Sequence, residues 1–386
     1  MANYLYHDLV FTLIIFQAVI LLIILSNLGK LHQARKHAQP PVWPMVSILV
    51  PARNEEQNIA GCVQSLLGQD YPSFEVLVLD DQSEDGTGSI LAQIASSQPG
   101  LKVLTGEQPP QGQLGKNWAC SQLARQAQGD LLFFTDADTV HQPGTLTAIV
   151  SALVGEQADL LTGFPRQEVQ TWGERLLVPF FSWALLSFNP LVLAYKLQLP
   201  GLAVAVGQMM LFRREAYQAI GGHARVSASI VDDLTLARQI QAAGMRWRVS
   251  YAADLISCRM YRKNREAIDG FSKNLFAAFD FRLLPFLFVF GWLMVMFWEP
   301  IFVLILLIFG QAPQARLDHL LVCFGLSILL WVIPYADLGI PLWLAFLYPL
   351  TILSNTIVAL RSIQHSLNGW LTWKGRDISQ SHWKWL

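Results

Sequence analysis

Charge is what this sequence has least of. Of its 386 residues only 14% are Asp, Glu, Lys or Arg, whereas 53% are hydrophobic; an ordinary soluble domain carries about 25% charged residues. That shortfall argues against a fully soluble chain. Neither sign dominates, with 27 Lys and Arg against 28 Asp and Glu and a formal net charge of −1. No overall positive field exists to hold a polyanion, so nucleic acid is excluded as the expected partner. Cysteine is also scarce: Cys62, Cys120, Cys258 and Cys323 are scattered and form no C-x-x-C pair. Neither a disulfide framework nor a thiolate zinc site is suggested, and reduced thiols facing a cytosol fit best. Two phosphate-binding signatures are absent as well, since there is no G-x-x-x-x-G-K-[ST] and no G-x-G-x-x-G. Any phosphate bound here is held by something other than a P-loop or a dinucleotide turn.

Apolar length is what the sequence does have, at both ends. Residues 9–28 form a charge-free run of 20, enough at 1.5 Å per residue to cross a hydrocarbon core of about 30 Å. Asp8 precedes the run and Gly29-Lys30-Leu31-His32 follows it, which reads as an uncleaved anchor rather than a signal peptide. Lys30, Arg35 and Lys36 crowd its C-terminal side, so the positive-inside rule places the next segment in the cytoplasm. Residues 283–310, 320–334 and 340–360 are again apolar, with Glu299 the one charge inside them, and are expected to be membrane-embedded. Three crossings that start in the cytoplasm end outside. The tail nevertheless carries Arg361, Lys374, Arg376 and Lys384, which belong in the cytoplasm by the same rule. Either Glu299-Pro300 breaks the first segment in two, or one segment lies in the interface or re-enters; the sequence leaves both open.

Residues 41–282 look like an ordinary α/β domain. Residues 46–50 (VSILV) read as a buried strand, and Ile59, Cys62, Val63, Leu66 and Leu67 then repeat with helical spacing. Further strands are expected at 74–79, 101–104, 131–135 and 160–164, with a helix around Ile90, Leu91 and Ile94. Such alternation implies a mostly parallel sheet with helices on both faces, whose ligands bind at the carboxyl ends of the strands. Those ends are acidic: Pro51-Ala52-Arg53-Asn54-Glu55-Glu56 follows the first strand, Asp80-Asp81-Gln82-Ser83-Glu84-Asp85-Gly86-Thr87 the second, and Asp136-Ala137-Asp138 the fourth. A carboxylate site that holds a diphosphate needs a divalent cation between like charges. The D-x-D fits that need, because Mg²⁺ or Mn²⁺ takes one or two protein carboxylates and completes its shell with phosphate and water.

In order and spacing, VSILVPARNEE, VLVLDDQSEDGT, FTDADT and VDDLTLA resemble the processive and non-processive family 2 glycosyltransferases of GT-A fold, over about residues 45–280. The resemblance implies transfer of a sugar from a nucleotide-diphosphate donor, with a UDP-sugar expected, and inversion at the anomeric carbon. It implies that Pro51, Ala52, Arg53 and Glu55 surround the nucleoside, that Asp81 meets the base, and that Asp136 faces the ribose and diphosphate. Asp138 would hold the metal, and Lys116, in Gly115-Lys116-Asn117, matches a basic position near the donor phosphates. Asp233 matches the catalytic base, preferred over Asp232. An inverting transfer needs one base for the acceptor proton and a cation to offset charge on the departing diphosphate.

Processive polysaccharide synthases carry a Q/R-x-x-R-W sequence. Here Arg259-Met260-Tyr261-Arg262-Lys263-Asn264-Arg265-Glu266 has no tryptophan after Arg265, which counts against chain synthesis. The Arg-Met-Tyr stretch, Gly270-Phe271-Ser272-Lys273-Asn274 and Trp373-Lys374-Gly375-Arg376 look more like the hopanoid-associated and carotenoid glycosyltransferases, with ceramide glucosyltransferases more distant. Arg259 and Arg262 are candidates for diphosphate or for lipid headgroups. Residues 176–194 are apolar but broken by Pro179, Asn189 and Pro190. They are expected to be an interfacial or acceptor-lining segment, or a helix buried in the core, rather than a clean crossing. A lipid acceptor in a bacterial plasma membrane is the expectation. A polyprenyl-phosphate sugar synthase and an inactive membrane scaffold are the alternatives.

The expected organisation is an anchor and basic segment at 1–40, a cytoplasmic catalytic domain at 41–282, membrane or interfacial segments at 283–360, and a basic tail at 361–386.

Overall fold

The computed structural model describes residues 2–312, 315–368, 372–373, 376–377 and 383–386; Lys374 and Gly375 of the tail lie outside the described residues. In chain order, the elements begin with α1 (Ala2–Ala34), β1 (Val46–Ala52), α2 (Ile59–Leu67), β2 (Phe74–Asp80), α3 (Thr87–Ser97), β3 (Leu101–Thr105), α4 (Gly115–Gln126), β4 (Leu131–Phe134), β5 (Thr139–His141), α5 (Thr145–Gly155), β6 (Leu160–Phe164) and β7 (Arg166–Gln167). They continue with α6 (Trp172–Phe188), α7 (Leu191–Leu197), β8 (Met210–Arg213), α8 (Arg214–Ala219), α9 (Gly222–Arg225), α10 (Asp232–Ala242), β9 (Trp247–Tyr251), β10 (Ile256–Cys258), α11 (Asn264–Ala277), α12 (Leu283–Ile308), α13 (Leu317–Asp337) and α14 (Tyr348–Leu367).

The central sheet runs β3-β2-β1-β4-β8-β6-β9. Its pairs are parallel except where β8 meets β4 and β6. Period-two alternation sends Val46, Ile48 and Val50 of β1 into one core with Ile59, Val63 and Leu66 of α2. Leu49, with Leu77, Leu79, Leu132 and Phe134, goes into a second core. That second core continues without a break into the helix bundle, where it includes Trp183, Phe297 and Trp331. One face of the sheet is thus packed onto the part of the chain that is apolar enough to enter a membrane.

Strand ends differ by a residue or two from the sequence reading, and the difference matters. β1 extends through Pro51 to Ala52, paired with Leu79 and Asp80, whereas β4 ends at Phe134 opposite Leu49. Pro51, which has no N–H to donate, therefore sits where β1 has lost its β4 neighbour. Connections leave β1 toward β2 on one side and reach β4 on the other, which makes this gap the switch point of the sheet.

Four helices among the described residues are long and apolar enough to cross a membrane: Leu9–Ala34, Leu283–Ile308, Leu317–Asp337 and Leu342–Leu367. α1 and α13 lie side by side and parallel. Phe11 meets His319 with ring centroids 6.1 Å apart, Gln17 Nε2 donates to Ser327 Oγ at 3.0 Å, and His32 Nε2 lies 2.7 Å from Asp337 Oδ1. α12 runs the opposite way, with Phe297 against Trp331 and Val303 against Leu320.

The Glu299-Pro300 pair does not break the first C-terminal segment in two, since α12 is one helix from Leu283 to Ile308. Proline lacks the N–H that would satisfy the carbonyl four residues back. For Pro300 that carbonyl is Met296 O, which instead accepts from Gln17 Nε2 of α1 at 3.4 Å. Pro334 of α13 similarly leaves Leu330 O free for Trp183 Nε1 of α6, at 2.9 Å. The segment around residues 176–194 is a bent pair: α6 and α7 meet at 56° across Asn189-Pro190. α6 is buried against the bundle, where Trp183 stacks on Trp331 at 4.1 Å and 6°. Asn27 of α1 fixes the bend by donating to Leu186 O and Asn189 O and accepting from Leu191 N.

Candidate active site

At the ends of β1 and β2, Arg53 is 7% exposed and points back into the domain. Its Nη1 donates to Asp81 O at 2.7 Å and Gln82 O at 3.1 Å, and its Nη2 reaches Glu84 at 3.3 Å. A rigid guanidinium fork suits two carbonyls at once. The loops it ties are held in left-handed conformations at non-glycine positions, Asn54 (φ 52°) and Gln82 (φ 57°). Exchanged hydrogen bonds stabilise that geometry, from Asn54 N to Ser83 Oγ and from Glu84 N to Asn54 Oδ1. Glu55 N is held by Thr87 Oγ1, and Glu55 Oε2 accepts from Asn58 Nδ2. Asn58 in turn accepts from Arg262 Nη2 at 2.6 Å. Arg262 therefore reaches the Glu55 edge of the site from a point 204 residues along the chain.

Below this wall lies a narrow cleft lined by Pro51, Lys116, Asp136, Gly207, His223 and Asp232. Lys116, at the start of α4, pairs with Asp136 at 2.7 Å. Burial opposes the ammonium charge, but Asp136 and then Asp232 keep Lys116 protonated well above its usual range. Asp138 is pushed up to about 7 by burial, then by the charges of Asp136 and Glu55. Its Oδ1 is buried with no hydrogen-bond partner among the described residues.

Asp232 and Asp233 open α10, where the helix N-terminus favours anions. They are adjacent in sequence and opposite in state. Burial works against the Asp232 carboxylate, but Lys116 and His223 hold it below the ordinary range. Burial, and then the charge on Asp232, drive Asp233 up. Asp233 is aimed by backbone donors, Leu234 N at 2.7 Å to Oδ1 and Gly207 N at 3.1 Å to Oδ2. A Cβ added at Gly207 would stand 3.4 Å from Lys116 Nζ, 3.6 Å from Asp233 Oδ2 and 3.8 Å from Asp136 Oδ2. Three charged groups from three separate elements thus converge on one small space.

Several contributors escaped the sequence reading. His223 is fully buried, with Nε2 3.5 Å from Asp232 Oδ2 and Nδ1 2.9 Å from the Tyr217 hydroxyl. The available signal was Gly221-Gly222, both at positive φ (80° and 52°), which turns the chain so that His223 faces inward. Glu174 is the other. Thr171 and Glu174 form a capping box on α6, a pattern legible in T-x-x-E, but Glu174 also binds Arg259 Nε at 3.1 Å. Arg259 N approaches Asp138 O at 3.4 Å. Arg259 therefore borders the D-x-D with part of its guanidinium engaged by a fully buried carboxylate, and Arg262 lies on the Glu55 side.

A divalent cation fits these residues. The donors are hard carboxylate oxygens, and Asp138 offers an orphaned buried one. No group of three or more metal-ligating side chains occurs among the described residues; an ion held here would draw its remaining ligands from a bound diphosphate and water.

Comparisons with known proteins agree with the geometry. A 4,4'-diaponeurosporenoate glycosyltransferase from Staphylococcus haemolyticus is 26% identical over 235 residues, 60% of each chain. A beta-monoglucosyldiacylglycerol synthase from Nostoc is 30% identical over 214 residues, 54% of this chain and 44% of the relative. The chain thus spans about half the length of the curated relatives it matches. A mannosyltransferase from Pyrobaculum calidifontis, solved with GDP-Man and Mn²⁺, superposes with a TM-score of 0.52 at 19% identity, over 91% of this chain and 99% of that one; this likeness establishes the fold. Residues 47–221 match the family described as Glycosyl transferase family 2, and they form a family 2 glycosyltransferase domain on a GT-A-like fold.

Proposed function

We propose that the chain is an inverting, metal-dependent transferase that moves one sugar from a nucleoside-diphosphate donor, a UDP-sugar, to a hydroxyl of a membrane lipid. The observation that carries this reading is the split pair on α10, in which an anionic Asp232 sits beside an Asp233 whose proton affinity is raised. A general base works best when its pKa lies near the working pH. Asp233 takes the acceptor proton as the acceptor oxygen attacks, and the hydrogen bonds from Gly207 N and Leu234 N keep its carboxylate aimed. Arg53 shapes the nucleoside wall through the Asp81 and Gln82 carbonyls. Lys116 brings positive charge beside Asp136 for the departing diphosphate. A cation held by Asp138, with Asp136 near, would supply further charge compensation on that leaving group.

A lipid acceptor is supported by continuity between the catalytic domain and the bundle. The loop that carries Gly207 follows α7, whose Leu193 and Leu197 are exposed, as is Leu199 beyond it, and α7 is anchored to α1 through Asn27. The relatives named for a carotenoid acid and for diacylglycerol point to the same class of acceptor. The test is transfer from radiolabelled UDP-sugars, with Mg²⁺ or Mn²⁺ and a total lipid extract, in nanodiscs. Labelled lipid from the wild type, lost in Asp138→Ala and Asp233→Asn, is the expected result. Label in a high-molecular-weight polymer, or in an acid-labile phospholipid that persists in Asp233→Asn, would replace this reading with a polymerase or a polyprenyl-phosphate synthase.

A further inference from the structure

The last apolar segment, Leu342–Leu367, is long enough to cross a bilayer, with a mean hydropathy of 1.6. A crossing helix must leave its two flanks on opposite sides of a core about 30 Å thick. Both flanks of this segment are tied to the catalytic domain. Before it, Asp337 O accepts from the Tyr251 hydroxyl of β9 at 2.5 Å, and the Asp337 carboxylate meets His32 at the domain end of α1. Near its end, Ser362 Oγ accepts from Phe276 N of α11 at 3.0 Å, and Arg361 Nη2 binds Asp269 of α11 at 2.6 Å. Midway, Asn355 Nδ2 donates to Leu176 O of α6 at 2.8 Å.

Depth can be read from the neighbours. The start of α14 is its most deeply inserted point, where Tyr348 packs on Phe297 and Trp331 and Pro349 O accepts from Trp298 Nε1 at 3.1 Å. Trp331 precedes Asp337 by six residues, about 9 Å along a helix. Phe297 lies further from the domain end of α12 at Leu283, so the excursion enters the core but stops short of its far side. Beyond α14 the chain returns to the foot of α12, where Leu283 N donates to Lys384 O at 2.8 Å and Lys384 N donates to Phe281 O at 2.9 Å.

We infer that residues 338–367 do not cross the membrane: they dip into the leaflet that faces the catalytic domain and return, so that α1, α12 and α13 are the only crossings among the described residues. The occupant of the exposed face is the acyl region of that one leaflet. Leu342, Trp343, Phe346, Leu350, Ile357 and Leu360 are all exposed along it, as are Phe288 and Phe302 of α12 and Leu321 and Leu329 of α13. Trp343 and Trp172 meet edge to face at 6.0 Å, with Arg175 5.4 Å from both rings, a grouping suited to the headgroup level. Three crossings also remove the conflict over the tail, because Arg361 and Lys384 then lie on the same side as Lys30 and Arg35.

The experiment uses the full chain with single added cysteines, Glu107→Cys in the catalytic domain, Gln311→Cys between α12 and α13, and Trp385→Cys at the end. All three positions are exposed, and the four native cysteines are buried. A membrane-impermeant maleimide is applied to intact cells and to inverted vesicles. The expected result is that positions 107 and 385 react from one side and position 311 from the other. Reaction of 107 and 385 from opposite sides would overturn the inference. A C-terminal reporter on the otherwise unaltered chain separates the same two topologies without touching Trp385: activity confined to the compartment of the catalytic domain supports the dip, and activity in the opposite compartment overturns it.

Discussion

The strand-end cleft and the helix bundle both bury polar groups, and they use them in opposite ways. In the cleft, charges are crowded until their proton affinities diverge: Asp232 is held anionic while its neighbour Asp233 is pushed up. In the bundle, several of the groups that join the helices are neutral and hydrogen-bonded. Gln17 serves Met296 O and Ser327, Trp183 serves Leu330 O, and Asn27 serves three backbone groups at the α6–α7 bend. Unresolved electrostatic tension is useful where a proton must move, and satisfied hydrogen bonds are useful where helices must be held in register.

That contrast can be tested most severely at Asp233. Asp233→Asn keeps the shape and one of the two backbone hydrogen bonds but removes the base, and kcat should fall about 10³-fold with little change in nucleotide-sugar affinity, as measured by equilibrium binding. A comparable loss of binding would mean that the residue holds the donor instead. A smaller effect is expected one residue earlier. Asp233 must be ionised to accept a proton and is pushed up to about 7, so activity should rise with pH through that region. Asp232→Asn removes the anion that raises it, and the acid limb of kcat should move to lower pH by about one unit or more, with kcat at its plateau down about tenfold. An acid limb that stays in place would sever the two aspartates.

Gly207→Ala sharpens the comparison from the steric side. The added methyl meets Lys116, Asp233 and Asp136 at ordinary contact distances of 3.4–3.8 Å, so the fold should keep its thermal midpoint. The space among those groups is nevertheless filled, and KM for the donor should rise about tenfold. The smallest effect belongs to the bundle. Trp183→Phe leaves Leu330 O unserved and shrinks the stack on Trp331, which should lower stability in detergent by about 1 kcal/mol, with catalysis at low temperature unchanged. Lost activity without lost stability would place Trp183 in the acceptor path.

Much of this architecture was legible in the sequence because it rests on local patterns. Five strands of the central sheet, β1 to β4 and β6, the acid-bearing loops at their ends and the helix that begins at Asp232 announce themselves through periodicity and short motifs, whereas β8 and β9 do not. What escaped depends on partners far along the chain. Glu299-Pro300 looked like a break because the donor that satisfies the released carbonyl, Gln17, lies 279 residues away. The carboxylate partner of Arg259 was hidden because Glu174 stands 85 residues before it. His223 carried no motif of its own, and its role is visible only once Asp232 and Tyr217 are folded around it. Whether the last apolar run crosses or re-enters stayed open in the sequence, because hydropathy measures length and not where the two ends are fastened.

The carbonyls released by Pro300 and Pro334 also bear on how the molecule is assembled as it is synthesised. α1 emerges first, α6 later, and α12 and α13 last, so the donors Gln17 and Trp183 are in place before their acceptors exist. An unbroken helix offers its neighbours carbonyls that already hold a hydrogen bond, whereas a proline frees one at a fixed height. A C-terminal hairpin inserted one turn too deep or too shallow would miss both partners at once, leaving two bare carbonyls and two bare donors in hydrocarbon. The two prolines thus set the height at which the late helices meet the early ones.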